Sequence, residues 1–73
     1  MKHWLIVYDR AKGKLLRCTE YTSERSGEFA LQDRFEIERT FPQFEVVVLG
    51  GESLDAIKRA YSRYFAEQVT GPI

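Results

Sequence analysis

The stretch Trp4-Leu5-Ile6-Val7-Tyr8 decides the fold of this chain. Such a short apolar run, rich in β-branched and aromatic residues, is typical of a buried strand, which we place over residues 3–9. A turn follows at residues 10–13, where Gly13 suits the positive φ that hairpin loops require. The sequence therefore predicts a β-hairpin whose second, more polar strand covers residues 14–21.

The rest of the chain alternates helical and strand patterns. A helix is predicted over residues 26–40, and Pro42 prevents its continuation because proline lacks a backbone N–H. Residues 44–49 predict a third strand. Residues 53–67 predict a second helix, which begins after the capping residue Ser53. Residues 68–73 are expected to fray.

These elements predict one α+β domain with the order ββαβα. The most apolar strand is expected at the centre of a three-stranded sheet, which gives the strand order 2-1-3. The first helix then crosses over the central strand as part of a split βαβ unit. Direct pairing of the second and third strands is the alternative. We expect two layers, with both helices on one face of the sheet.

The composition excludes several kinds of site. One cysteine, Cys18, cannot form an intramolecular disulfide, and together with one histidine, His3, it cannot supply the ligands of a structural zinc site. We expect no metal and no cofactor. The apolar runs are far shorter than the roughly 20 residues of a membrane span, so we expect no membrane association and a cytoplasmic location.

No group of residues predicts catalysis. His3 lies at the start of the first strand beside the chain terminus, which is a poor place to position a base. Cys18 follows Arg17, which favours a lower thiol pKa, but a lone cysteine in a strand behaves more often as a small hydrophobic residue. We therefore expect no catalytic residue and no enzyme activity.

Charge is segregated along the chain although the net charge is zero. Residues 1–19 carry five basic residues against one acidic residue, and residues 20–55 carry three basic residues against nine acidic ones. The basic residues beside the hairpin turn predict an alternative function, contact with nucleic-acid phosphates. The neutral total weighs against that alternative. Its candidate residues are Arg10, Lys12, Lys14 and Arg17.

The predicted first helix places two charges inside its apolar arc. Arg34 and Glu38 are four residues apart and therefore spaced to form an ion pair. One interpretation exposes both, through a long arginine stem or a rotated helix. The other places the pair at a semi-buried or partner-facing surface. The arc around them consists of Ala30, Leu31, Phe35, Ile37 and Phe41.

Both faces of the predicted sheet are apolar, so helices on one side would leave the other side exposed. Pairing two such faces would remove roughly 480 Å² from water and contribute on the order of 12 kcal/mol. Association costs about 4–15 kcal/mol. We therefore expect a non-enzymatic protein-interaction module that forms a weak homodimer, although a foreign protein would use the same patch. The predicted interface residues are Trp4, Ile6, Tyr8, Phe44, Val46, Val48, Arg34 and Glu38.

Four segments carry a pattern of their own: Leu5-Ile6-Val7-Tyr8-Asp9-Arg10, Arg34-Phe35-Glu36-Ile37-Glu38-Arg39, Glu45-Val46-Val47-Val48-Leu49-Gly50 and Tyr61-Ser62-Arg63-Tyr64-Phe65. In these segments the chain resembles a family of small uncharacterised proteins of actinobacteria and their phages. The resemblance implies a bacterial or phage-encoded cytoplasmic protein and attaches no activity to any residue. By analogy it adds a third hypothesis, an inhibitor of a host protein.

Overall fold

The computed structural model describes residues 2–65. The described elements, in chain order, are strand β1 (Lys2–Asp9), strand β2 (Lys14–Tyr21), helix α1 (Ser26–Thr40), strand β3 (Glu45–Gly51), helix α2 (Leu54–Ala60) and a 3-10 turn at Ser62–Tyr64. The sheet has the order β2-β1-β3, and both outer strands are antiparallel to β1. The predicted α+β class and the strand order 2-1-3 are therefore confirmed.

Local sequence signals explain where the elements begin and end. Gly13 has a φ of 64°, as the hairpin turn requires. The Asp9 carboxylate accepts a hydrogen bond from the Lys12 N–H across that turn at 3.2 Å. Ser53 Oγ accepts a hydrogen bond from the Ala56 N–H at 3.2 Å and so caps α2. Each of these contacts is local and follows from residue type.

The second helix is shorter than the predicted range of 53–67. It ends at Ala60, and the 3-10 turn that follows redirects the chain. Tyr64 and Phe65 are consequently buried against the sheet, whereas Leu54 and Tyr61, which share the predicted apolar stripe, are exposed. The last two positions of that predicted helix and the predicted frayed tail at 68–73 lie outside the described residues.

The two helices cover opposite faces of the sheet. Because successive strand side chains point to opposite faces, β1 contributes to two separate core clusters. The cluster beneath α2 and the 3-10 turn consists of Trp4, Ile6, Leu49, Ile57, Tyr64 and Phe65. The cluster beneath α1 consists of Leu5, Val7 and Val46, with Tyr21, Ile37, Phe44 and Val48 packed against it. The prediction that both helices share one face in a two-layer domain is wrong.

This arrangement also removes the predicted exposed sheet face. Trp4 and Ile6 are no more than 1% exposed, and Val46 is 4% exposed. The six predicted sheet residues do not share a face, because Trp4, Ile6 and Tyr8 belong to the α2 side and Phe44, Val46 and Val48 to the α1 side. An interface across an open sheet face is therefore wrong, since each apolar face is covered by its own helix.

Coverage of both faces has a measurable consequence for stability. Leu5→Ala and Ile6→Ala remove neighbouring side chains that point to opposite faces, and both residues are 0% exposed. We expect each substitution to lower the free energy of unfolding by about 2–5 kcal/mol, because each leaves a cavity in a packed cluster. Urea unfolding measures both values. A loss below about 1 kcal/mol for either variant would contradict coverage of that face.

Candidate interaction surfaces

The two edge strands of the sheet differ in how they are protected. β2 carries Lys14, Arg17 and Glu20, and its pairing with β1 is irregular opposite Val7 and Tyr8. Charges and bulges of this kind discourage a sheet edge from pairing with another chain. β3 pairs regularly with β1 along its full length and carries one charged residue, Glu45, at its start. Within residues 2–65, no further strand pairs with β3.

Helix α1 carries apolar side chains on several sides. Its buried side contains Ala30, and Ile37 packs on the sheet. Phe35, however, is 63% exposed, and Leu31 is 42% exposed. These two residues are four apart and therefore adjacent on the helix surface. The sequence arc around Ala30 and Ile37 predicted one buried face, and the structure leaves Leu31 and Phe35 outside it.

The exposed pair lies beside the flank of α1 that overhangs β3. Arg34 and Glu38 lie on this side of the helix, because both line a depression to which Val46 and Val47 of β3 also contribute. Leu31 is seven residues before Glu38 and lies on the same stripe of the helix. We call this combined surface, formed by the outer edge of β3 with Leu31, Arg34, Phe35 and Glu38 of α1, the β3 flank.

Arg34 and Glu38 form the ion pair that their spacing predicts. Arg34 Nε lies 3.4 Å from Glu38 Oε1, and both side chains are about two-fifths exposed. The Nε atom itself is buried and, among the described residues, has no hydrogen bond of good geometry. The pair is therefore half-buried on the β3 flank, which agrees with the semi-buried interpretation.

A double-mutant cycle tests this ion pair. Arg34→Met, Glu38→Gln and the double variant should give a coupling energy of about 0.5 kcal/mol, the value typical of i,i+4 pairs on partly exposed helix surfaces. The measurement is urea unfolding of the four proteins. A coupling energy indistinguishable from zero would contradict a semi-buried pair.

The depression on the β3 flank has a volume of about 470 Å³. It lies where β3 begins, and the residues that line it include Arg10, Arg34, Glu38, Phe44, Glu45 and Val46. Both carboxylates already have cationic partners, since Glu38 pairs with Arg34 and Glu45 with Arg63. Among residues 2–65, no carboxylate lies within ion-pair distance of Arg10.

Glu45 is held by a network on the α2 side of the sheet. Its carboxylate accepts hydrogen bonds from the Tyr64 hydroxyl and from Arg63 Nη2, each at 2.6 Å. The Tyr64 hydrogen bond, more than the Arg63 charge, holds the pKa of Glu45 below its usual value. This stabilisation is therefore present at neutral pH and is lost as acidification protonates the carboxylate. The network ties the start of β3 to the chain after α2.

The predicted nucleic-acid residues lie at the hairpin end of the sheet. Arg10, Lys12, Lys14 and Arg17 are all exposed. Arg17 Nε donates a hydrogen bond to Thr19 Oγ1 at 2.7 Å, so its guanidinium is engaged within β2. Glu36, Glu38 and Glu45 belong to the segments that meet at this end and dilute its positive charge. The structure brings the four predicted cations to one end without forming a purely basic surface.

A second apolar surface lies on the other side of α1. Leu16, Ile37 and Phe41 line a cleft of about 180 Å³ above Val7. Leu16 is 45% exposed and Phe41 is 44% exposed. Arg17 also lines this cleft, beside the irregular part of β2. The cleft is smaller than the depression on the β3 flank and borders the protected edge of the sheet.

His3 and Ser26 are joined in a way that the sequence did not predict. His3 Nδ1 and Ser26 Oγ share a hydrogen bond of 2.7 Å, which connects the start of β1 to the start of α1. A serine beside a histidine is the pairing that nucleophilic catalysis uses. Ser26 is 2% exposed, however, so its hydroxyl is closed off from a substrate in this conformation. The contact holds α1 on the sheet.

Cys18 differs from its sequence interpretation in its exposure. It is exposed on the outer strand β2 rather than buried. Partial burial of the sulfur raises the pKa of its thiol, and this outweighs the opposing effect of nearby Lys58. The alternative of a thiol pKa lowered by Arg17 is therefore wrong, and the raised pKa agrees with the interpretation of Cys18 as an unreactive side chain. The thiol is therefore mostly protonated at neutral pH and a weak nucleophile.

Tyr21 ties β2 to α1 and is a reporter of that contact. Its hydroxyl donates a hydrogen bond to Asp33 Oδ2 at 2.5 Å. Burial, followed by this hydrogen bond, raises the pKa of Tyr21 from 10.0 to about 12. Because the folded state favours the protonated phenol, this contribution to stability is complete below pH 10.0 and is lost as the pH rises toward about 12.

An alkaline titration tests the contact between Tyr21 and Asp33. Tyr21→Phe should remove the phenol that ionises at about 12 from the ultraviolet absorbance titration. Asp33→Asn should shift that ionisation toward the ordinary tyrosine value, because the carboxylate no longer favours the protonated hydroxyl. Titration curves of the two variants that coincide with the parent curve would contradict the contact.

Comparison with protein-family models, curated proteins and solved structures finds no match to this chain. The resemblance to actinobacterial and phage proteins therefore stays a prediction. No helix within residues 2–65 is long and apolar enough to span a membrane. The same residues contain no group of three or more potential metal-binding side chains. The candidate site thus rests on the geometry of the surfaces described above.

Proposed function

We infer that this protein is a non-enzymatic interaction module whose partner is a second copy of the same chain, bound along the β3 flank. The observation that carries this proposal is the regular edge of β3, which no strand of residues 2–65 covers, next to a helix that leaves Leu31 and Phe35 exposed. Unpaired strand edges without charges or bulges are templates for pairing with another strand. Addition of the partner's β3 would extend the sheet to six strands.

The position of α1 favours this partner. The helix packs across β1 and β3, close to the edge in question. Strands in a sheet are about 4.8 Å apart. A helix centred between β1 and β3 therefore has its axis displaced by about 2.4 Å from β3 toward β1. Two copies joined edge to edge would then hold their α1 axes about 10 Å apart. Packed helices are separated by about 8–10 Å, so the helices would meet without a gap.

The apolar area is appropriate for a weak dimer. With Phe35 63% exposed, its burial removes about 125 Å² of apolar surface per copy, worth about 3 kcal/mol. On the same scale Leu31, which is 42% exposed, adds about 2 kcal/mol per copy. The two copies together gain at most about 10 kcal/mol, against an association cost of about 4–15 kcal/mol. Strand hydrogen bonds at about 0.5–1.5 kcal/mol each supply the remainder.

Two other functions remain as alternatives with less support. The exposed cations at the hairpin end favour nucleic-acid binding, but Arg17 is engaged with Thr19. Inhibition of a host protein rests on the resemblance to phage proteins alone. A foreign protein would nevertheless use the same β3 flank, because a strand edge pairs through its backbone and accepts many sequences.

The oligomeric state tests the proposal. Sedimentation velocity and light scattering over a concentration series should show a monomer–dimer equilibrium. Phe35→Glu should raise the dimer dissociation constant by more than about 100-fold, because it places two charges in the apolar contact. It should change the free energy of unfolding of the monomer by less than about 0.5 kcal/mol, since the side chain is exposed there.

Leu16→Glu is the matched control for this experiment, because Leu16 is a similarly exposed apolar residue on the opposite edge strand. It should leave dimerisation unchanged. A protein that stays monomeric at every concentration would contradict the proposal. Equal effects of Phe35→Glu and Leu16→Glu on the dimer dissociation constant would contradict it as well. Retardation of duplex DNA at low salt that Lys12→Glu abolishes, in a protein that stays monomeric, would favour the nucleic-acid alternative instead.

A further inference from the structure

The two ends of the sheet carry opposite charge. The end at which β1 begins carries five acidic residues, Glu20, Glu24, Glu28, Glu52 and Asp55, against Lys2 and Arg25, a formal charge of −3. At the hairpin end, the four acidic residues are Asp9, Glu36, Glu38 and Glu45. The seven basic residues there are Arg10, Lys12, Lys14, Arg17, Arg34, Arg39 and Arg63, so the formal charge is +3. Asp33, Lys58 and Arg59 lie farther from either end, within the helices, and are counted at neither. The molecule is therefore polarised along its strands.

This polarity distinguishes the two ways of joining copies at β3. In a parallel arrangement, ends of like charge would lie together. In an antiparallel arrangement about a two-fold axis perpendicular to the sheet, the acidic end of each copy lies beside the basic end of the other. Complementary potentials fix the register and orientation of protein interfaces. Both copies of α1 would also lie on the same face of the joined sheet.

The valines of β3 limit the register of an antiparallel pair. Opposite residues of two antiparallel strands lie on the same face of the sheet. Val47 opposite the partner's Val47 and Val48 opposite the partner's Val48 both satisfy this condition with apolar pairs throughout the centre. The two registers bring the partner's Glu52 opposite residue 42 and residue 44, respectively. Both positions border the depression of about 470 Å³.

The side chain of Glu52 suits that depression. Continuing the alternation of β3 places Glu52 on the α1 face of the sheet, the face that also carries Arg34. Glu52 is exposed, and among residues 2–65 no cation lies within ion-pair distance of it. Arg10 at the depression contributes to the lowered pKa of Glu45 through its charge, but no carboxylate of those residues lies within ion-pair distance of it. Each group offers the charge that the other needs.

We propose that the dimer is an antiparallel β3–β3 pair in which the partner's Glu52 enters the depression beside Arg10 and Arg34. This arrangement rests on the proposed function and specifies its partner and orientation. The two-fold axis makes two such contacts, one at each end of the joined strands. The contacts are exposed at the rim, so they set orientation and salt dependence more than total affinity.

A charge exchange tests the arrangement. Glu52→Arg and Arg10→Glu should each raise the dimer dissociation constant by about 3- to 30-fold at low salt, because each change disrupts two ion pairs. The double variant should restore the parent value to within about 3-fold. Analytical ultracentrifugation at low and high salt gives these constants, and the differences should shrink as salt screens the charges.

Glu20→Arg is the matched control, because it makes the same change in net charge at the same end of the sheet but lies on β2, away from β3. It should change the dissociation constant by less than about 2-fold. An effect equal to that of Glu52→Arg, or a double variant no tighter than the single ones, would overturn the orientation and leave the dimer itself standing. A parent protein that stays monomeric would overturn both proposals.

Zero-length crosslinking gives an independent measurement. In Arg10→Lys, a carbodiimide should couple the Glu52 carboxylate to the new amine of the other copy, and mixed isotope-labelled dimers identify the link as intermolecular by mass spectrometry. Glu52→Gln in the same background should abolish this crosslink. A dimer that forms without the link between positions 10 and 52 would contradict the antiparallel arrangement.

Discussion

The complete burial of β1 on both faces is the constraint from which the rest of the structure follows. Trp4, Leu5, Ile6 and Val7 are consecutive and no more than 5% exposed, so side chains pointing in both directions must be covered. A strand of this kind stabilises the domain only when each face has its own layer of packing. One helix lies on each side because the central strand requires it.

Because each described helix covers one face of the sheet, neither is available to cover a sheet edge. Within residues 2–65 the two helices both pack on the faces of the sheet, and no strand of this part of the chain pairs with the outer side of β3. A small domain buries a modest fraction of its surface, and here Leu31 and Phe35 of α1 are among the apolar side chains left exposed. The candidate interface is therefore a consequence of how a short chain distributes a limited number of covering elements.

Charge follows the same geometry. Residues that are segregated along the sequence become segregated along the strands, because the hairpin turn, the end of α1 and the start of β3 meet at one end of the sheet. The basic hairpin alone is typical of a phosphate-binding surface. Beside the glutamates of α1 and β3, it becomes one pole of a polarised molecule, and the proposed pairing with an oppositely oriented copy rests on that polarity.

The sequence by itself determined the hairpin, the central place of the most apolar strand and the sheet order 2-1-3, because these depend on local turn chemistry and on apolar content. It also identified Arg34 and Glu38 as an ion pair, since i,i+4 spacing brings them together on any helix. The tertiary structure alone decided that α1 and α2 take opposite faces, and that Trp4 and Ile6 are core residues rather than an interface. It also decided that Leu31 and Phe35 stay exposed. An apolar pattern predicts which side chains prefer burial. Which helix covers them depends on the path that the chain takes after the preceding strand, and that path is a property of the tertiary structure.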